Sequence, residues 1–278
     1  MRRHSRRLFL AGLAATASLR TRAAPSAEER VDQANQRLVA IEAREGGRLG
    51  VFARDTGTSS TLSHRADERF PMCSTFKLLA AAAALNLVDQ GAERLDRTIA
   101  YGPSDLLDYA PIAKARVAQG SMTLAEACAA AIDWSDNTAA NLILQAIGGP
   151  AGFTQFARSL GDNVTRLDRN EPSLNTAAPG DERDTTSPRA MAEDMGQVLM
   201  SDALSEASRR QLEAWLIDDK VGDKTGSGDN GTTNTIAIIR PPDRTPIIAT
   251  VYYTESSAPT DARNAIHKEI GGLIAETF

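Results

Sequence analysis

Strand-forming runs stand at both ends of this chain, and a long helical stretch stands between them. Near the start, Arg48–Arg54 and Ser59–His64 read as two short strands with Asp55-Thr56-Gly57 as their turn. Near the end, Asn234–Ile239 and Pro246–Tyr253 are β-branched runs joined by Pro241-Pro242-Asp243-Arg244. From Phe76 to Leu216 the pattern is mostly helical: alanine-rich segments, apolar residues three and four apart, and Gly or Pro breaks. Further helices are predicted over Ala27–Ala43, ended by Gly46-Gly47, and over Asp261–Thr277. Terminal strands with helices between them predict an α/β (α+β) fold. It is a discontinuous α/β domain, 25–69 and 213–278, with an antiparallel sheet flanked by helices, plus an inserted all-α domain, 70–212. A cleft between the two is a natural site for chemistry.

The first 24 residues are of another kind. Met1–Arg7 carries four arginines, Leu8–Leu19 is apolar and small, and small residues follow around Thr21–Ala24. This is the pattern of an export signal, too short to span a bilayer as a helix. Ser5-Arg6-Arg7-Leu8-Phe9-Leu10 resembles a twin-arginine signal. A basic amphipathic arm is the other reading, but Leu8–Leu19 has no polar face. Cleavage near Ala23 removes six arginines and no acids, leaving 25 basic side chains against 36 acidic ones. That balance argues against a nucleic-acid partner. The expectation is a periplasmic or secreted monomer without a membrane anchor after cleavage. With three histidines and two cysteines, no cluster of ligands for a metal is visible, and no cofactor is implied.

Three short motifs carry candidate chemistry. Ser74-Thr75-Phe76-Lys77 opens the apolar run Leu78–Val88, so Ser74 is placed at a helix start with Lys77 one turn on and facing the same way. Free backbone N–H groups at a helix start suit an oxyanion. A lysine in the first turn opposes the helix macrodipole, which disfavours its charge and makes it a candidate base. The plain alternative is a capping serine and a solvated lysine, and one Ser-x-x-Lys is expected by chance in about every chain of this length. Ser135-Asp136-Asn137 lies between predicted helices Leu124–Trp134 and Thr138–Ile147, where capping is the simpler reading. Lys224-Thr225-Gly226-Ser227-Gly228 precedes the terminal strands. Its glycines mark either a tight hairpin or the close approach of a ligand or another backbone.

In this order the three motifs resemble the signature of penicillin-binding proteins and class A β-lactamases. Arg169-Asn170-Glu171-Pro172-Ser173-Leu174-Asn175 further resembles the Glu-x-x-Leu-Asn element on the Ω loop of the class A enzymes, which here runs from about Arg166 to Asp184. The resemblance covers about residue 28 to the end and implies a serine hydrolase acting on small-molecule β-lactams. By that resemblance Ser74 is the nucleophile, Lys77 a base, Ser135 a proton relay and Glu171 the base for the deacylating water. Asn175 helps hold that water, and Arg169 with Asp184 closes the loop. Tyr109, Asn137, Lys224, Thr225, Gly226 and Ser227 line the substrate, and the N–H groups of Ser74 and Ser227 form the oxyanion site.

Two departures from the family pattern stand out. Ile217-Asp218-Asp219-Lys220 leads almost directly into Val221-Gly222-Asp223-Lys224, where relatives have a longer connection. That predicts a taut link and lost cover on one wall. Relatives also commonly carry an arginine for the substrate carboxylate; Thr233 stands at the strand position, which leaves Arg263 as a candidate substitute. Two further readings remain at this stage. One is a β-lactam-binding protein with little turnover; the other is a D-Ala-D-Ala peptidase or transpeptidase, against which Glu171 speaks.

Overall fold

The computed structural model describes residues 25–218 and 221–278. The expected signal segment, 1–24, and residues 219 and 220 of the short connection lie outside the described residues. Helix α1 (Ala27–Glu45) starts at a capping box, with the Ser26 hydroxyl accepting from Glu29 N and the Glu29 carboxylate accepting from Ser26 N. Strands β1 (Arg48–Asp55) and β2 (Thr61–His64) follow as the expected hairpin. Asp55 Oδ1 holds their turn by accepting from Gly57 N at 2.8 Å and Thr58 N at 3.2 Å.

The middle of the chain is helical with two small exceptions. Strand β3 (Phe70–Pro71) enters a single 3₁₀ turn, Cys73–Thr75, and then α2 (Phe76–Asp89). Beyond it come β4 (Thr98–Ala100), α3 (Pro111–Arg116), β5 (Ser121–Thr123), α4 (Leu124–Asp133), α5 (Asn137–Ala146) and α6 (Gly149–Ser159). After the loop lie β6 (Thr185–Thr186), α7 (Pro188–Met200) and α8 (Glu206–Leu216). The pairs β3–β6 and β4–β5 were not expected from the helical pattern, being two or three residues long and too short to show a period.

Strands β7 (Ile217–Asp218), β8 (Val221–Gly228), β9 (Thr232–Ile239) and β10 (Ile247–Thr254) precede the closing helix α9 (Thr260–Thr277). The main sheet runs β2-β1-β10-β9-β8-β7, entirely antiparallel, so both ends of the chain build it. Strand β10 is buried along its whole length because helices cover both faces. Ile247, Ala249, Val251 and Tyr253 meet Leu38 and Ile41 of α1 and Ile270 and Leu273 of α9. Ile248 and Tyr252, on the opposite face, join the larger core around α2. Residues Phe76–Leu85 of α2 are all buried, which explains a helix without a polar face at the centre of the helical layer.

On either side of the short connection Ile217 pairs with Gly222 and Asp218 with Val221, so β7 and β8 lie antiparallel; the expected taut link between them lies outside the described residues. Val221 is 42% exposed on that edge.

Candidate active site

The 3₁₀ turn lifts Ser74 out of the α-helical register expected for it. Cys73 enters this turn with φ 45°, and Thr75 rather than Ser74 precedes the first α-helical residue. Ser74 is buried, and Lys77 Nζ donates to its Oγ at 2.9 Å. Lys77 has no exposed surface. Its Nζ also reaches the Ser135 backbone oxygen at 2.9 Å and Asn137 Oδ1 at 2.6 Å, and lies 3.0 Å from Glu171 Oε1. The lysine is held below its ordinary pKa by burial, and Glu171 opposes that shift. Burial is the largest cause of that shift.

Ser135 sits between α4 and α5 at φ 54°, in the left-handed region that non-glycine residues rarely adopt. Asp136 caps α5 by accepting from Ala139 N at 2.8 Å. Its other oxygen accepts from Ile112 N and Ala113 N, both at 2.9 Å. The middle residue of Ser-Asp-Asn thus has the capping role, while Ser135 and Asn137 on either side of it face Lys77. Asn137 N donates to the backbone oxygen of Tyr109 at 3.0 Å, and the Tyr109 side chain is 58% exposed.

Strand β8 comes to the nucleophile from the other side. Lys224 Nζ donates to Ser135 Oγ at 3.1 Å, and burial next to Lys77 lowers its pKa to about 7. Alternation along the strand buries Lys224 and Gly226 and leaves Thr225 and Ser227 exposed. Gly226 faces the protein rather than open space. A Cβ there would stand 3.0 Å from Met72 O and 3.1 Å from Ser74 N, so this glycine lets the strand lie directly against the serine backbone.

The loop from Arg166 to Asp184 completes the cluster. Asn175 Nδ2 donates to Glu171 Oε2 at 2.5 Å, and Glu171 Oε1, which is buried, faces Lys77 Nζ at 3.0 Å. Arg169 Nε donates to Asp184 Oδ2, while Asp184 Oδ1 accepts from Asp168 N at 2.7 Å and Arg169 N at 2.9 Å. Asn141 was missed from the sequence: its amide exchanges two hydrogen bonds with the Glu171 backbone. The available signal was its position four residues after Asn137, on the same face of one helix.

The candidate carboxylate arginine is engaged locally. Arg263 donates to Ala258 O and to Thr260 Oγ1, both at the start of its own helix, and its Nε is buried without a partner. Cys73 and Cys128 are both free and buried.

Ser74, Lys77, Ser135, Glu171 and Lys224 thus converge from four separate segments, in a fold with a helix-flanked antiparallel sheet and an inserted helical layer. The family model of the beta-lactamase enzyme family matches residues 31–278. The chain belongs to this family, as a class A serine β-lactamase. It is 44% identical to beta-lactamase CTX-M-8 of Citrobacter amalonaticus over 258 residues, covering 87% of this chain and 88% of that protein. It is 43% identical to beta-lactamase AST-1 of Nocardia asteroides, covering 98% and 96% of the two chains. Among solved structures, an ancestral class A β-lactamase of Gram-negative bacteria superposes with TM-score 0.86 at 56% identity, covering 88% of this chain and all of that one. A putative class A β-lactamase from Rhodopseudomonas palustris matches with TM-score 0.86 at 49% identity, over 89% of this chain and 100% of the other.

Proposed function

We propose that this protein hydrolyses the amide of β-lactam antibiotics and so confers resistance, through an acyl-enzyme on Ser74 that Glu171-activated water cleaves. One observation carries the reading: Lys77 Nζ stands 2.9 Å from Ser74 Oγ and 3.0 Å from Glu171 Oε1, so nucleophile and both candidate bases share one buried contact. Five oxygens crowd an amine that has at most three hydrogens, counting Ser135 Oγ at 3.4 Å. A proton on Ser74 has an acceptor in Glu171 through water, or in Lys77 in the neutral form that burial favours.

Ser135 relays a proton to the departing ring nitrogen, with Lys224 Nζ on its hydroxyl supporting that role. The backbone N–H groups of Ser74 and Ser227 hold the oxyanion. Thr225 and Ser227 hydroxyls and the Lys224 charge receive the substrate carboxylate, Gly226 brings β8 up to Ser74, Asn137 binds the side-chain amide and Tyr109 lines the entrance. Glu171, whose Oε1 lies beside Lys77 Nζ, takes the proton from the hydrolytic water, which Asn175 helps to hold. Division into 25–69 with 213–278 and 70–212 places Lys224–Ser227 on one part and Ser74, Lys77, Ser135 and Glu171 on the other, so chemistry occurs where they meet. Export by the twin-arginine-like segment delivers a monomer to the periplasm or the exterior. Among the described residues no helix is long and apolar enough to cross a membrane.

The test is a chromogenic cephalosporin assay paired with intact mass measurement of Glu171→Gln after a penicillin is added. Many turnovers by the native protein and a long-lived adduct on Ser74 in the variant are expected. A single burst from the native protein would mark a binding protein with little turnover. Rapid clearance of the variant's adduct would remove Glu171 as the base.

A further inference from the structure

An asparagine stands at a core position of β9. Ile236 and Ile238 turn to the core around α2, and two-residue alternation puts Asn234, 2% exposed, on that same face. A buried amide is costly unless its groups are hydrogen-bonded. Asn234 Nδ2 donates to two consecutive backbone oxygens, Pro71 O at 2.8 Å and Met72 O at 3.0 Å. These carbonyls fix which way the amide faces, since its own oxygen in that place would meet only acceptors. Among the described residues no donor meets Oδ1, so the bonding of this side chain is all directed at the segment that enters the Ser74 turn.

That segment is seated on one row of the sheet. Tyr252 of β10 and Gly226 of β8 both pair in register with Asn234. The Tyr252 hydroxyl lies 3.3 Å from Thr75 Oγ1, which donates to Met72 O at 2.8 Å. Gly226 lets Met72 O and Ser74 N lie against β8. Met72 O thus accepts from Asn234 Nδ2, from Thr75 Oγ1 and from Thr75 N at 3.2 Å, one residue before Cys73 takes its φ of 45°. Of the three residues in the row, Asn234 is the one whose side chain bonds to the backbone entering that turn.

We propose that Asn234 is a positioning residue for the oxyanion site, a role that rests on Ser74 being the acylated nucleophile. It ties the Pro71–Met72 backbone to β9 and so sets where the Ser74 N–H stands against the Ser227 N–H. The two donors belong to different segments: Ser74 to the turn before α2, Ser227 to β8, where it pairs with Thr233 next to Asn234. Both must meet one developing charge, so a small shift of either weakens the pair. The effect falls alike on formation and cleavage of the acyl-enzyme, because each passes through a tetrahedral oxyanion.

Asn234→Asp keeps the size of the side chain but puts oxygen in place of the donor, and Asn234→Ala removes the group without adding charge. Each should lower kcat/KM about ten- to a hundredfold, with acylation and deacylation slowed together; should the Asp variant not fold, the Ala variant carries the test. An aryl boronic acid bonds its boron to Ser74 Oγ, the serine proton passing to the base, and sets a boronate oxygen in the oxyanion site. Its affinity should fall by a similar factor, measured well below the unfolding temperature. A merely structural role would lower the unfolding temperature yet leave boronate affinity within about twofold of native, and that result would overturn the proposal. Slowing of deacylation alone would overturn it too, by moving the effect to the Glu171 loop. Whatever Ser74 acylates, a crystal structure of Asn234→Ala should show Ser74 N displaced from Gly226 by roughly half an ångström or more, and an unmoved turn would refute the role. If instead the native protein turns over no β-lactam and Ser74→Ala binds the boronate as tightly as native, the reading of Ser74 fails, while the displacement still decides the role of Asn234.

Discussion

Asn141 and Glu171 exchange hydrogen bonds in both directions. Asn141 Nδ2 donates to the Glu171 backbone oxygen and Glu171 N donates to Asn141 Oδ1, each at 2.9 Å. A side-chain amide on α5 thus gives a loop residue the two backbone partners that a neighbouring strand would supply. Because Asn137 on the same helix face accepts from Lys77, one helix holds both the lysine and the loop acid.

The first prediction follows from that pairing. Asn141→Ala leaves the Glu171 N–H and C=O without their partners, a cost of about 1–3 kcal/mol. Thermal unfolding should occur several degrees lower. In burst kinetics the hydrolysis of the acyl-enzyme should slow more than its formation, since the Asn141 side chain hydrogen-bonds Glu171 and neither Ser74 nor Lys77. Equal slowing of both steps would show that Asn141 supports the whole site rather than Glu171.

Ser74→Ala removes the atom that receives the acyl group. Turnover should fall by at least about a thousandfold, because no neighbouring hydroxyl occupies its place. Circular dichroism and the unfolding temperature should stay close to native, as the change removes one oxygen from a preformed turn. Retained hydrolysis by the pure variant would overturn the mechanism.

His267 gives an acid-side prediction. It lies on α9 with Nε2 3.1 Å from Thr233 O and Nδ1 3.1 Å from Thr235 Oγ1, and burial lowers its pKa to about 4. An unfolded histidine titrates near 6.5, so its contribution to stability is complete above that and is lost as pH falls toward 4. The loss amounts to about 3 kcal/mol over the window. Denaturant titrations of native protein and His267→Gln from pH 7 to 4 should converge by that amount. A constant difference across the range would mean that the ring does not titrate there.

Gly228 tests how closely the end of β8 holds the loop. A Cβ at this position would stand 2.6 Å from both Asn175 O and Cys73 Sγ. Asp229 N donates to the same Asn175 oxygen at 2.9 Å, so the backbone cannot simply retreat. Gly228→Ala should cost about 1–3 kcal/mol by overpacking and lower kcat/KM through displaced Asn175. Adding Cys73→Ala should restore only part, because the clash with Asn175 O remains. Full restoration by the double change would place the strain on the sulfur alone.

Much of this protein was legible before its tertiary structure. The terminal strands, the long helical middle and both flanking helices follow from periodicity and breakers, since local patterning records which face of each element is buried. The motif residues Ser74, Lys77, Ser135, Glu171 and Lys224 were likewise visible as residue types in order. Their mutual distances were not. Lys77 and Glu171 lie far apart in the chain, and only packing of the loop against α2 and α5 brings their side chains to 3.0 Å. The same holds for burial of Lys77, the largest cause of its lowered pKa. The antiparallel pairing of β7 with β8 and the turning of Arg263 onto the start of α9 were likewise not legible. Asn141 carries no motif at all. Its meaning comes from what it touches, and contacts between distant segments are set by how whole layers pack rather than by any local spacing.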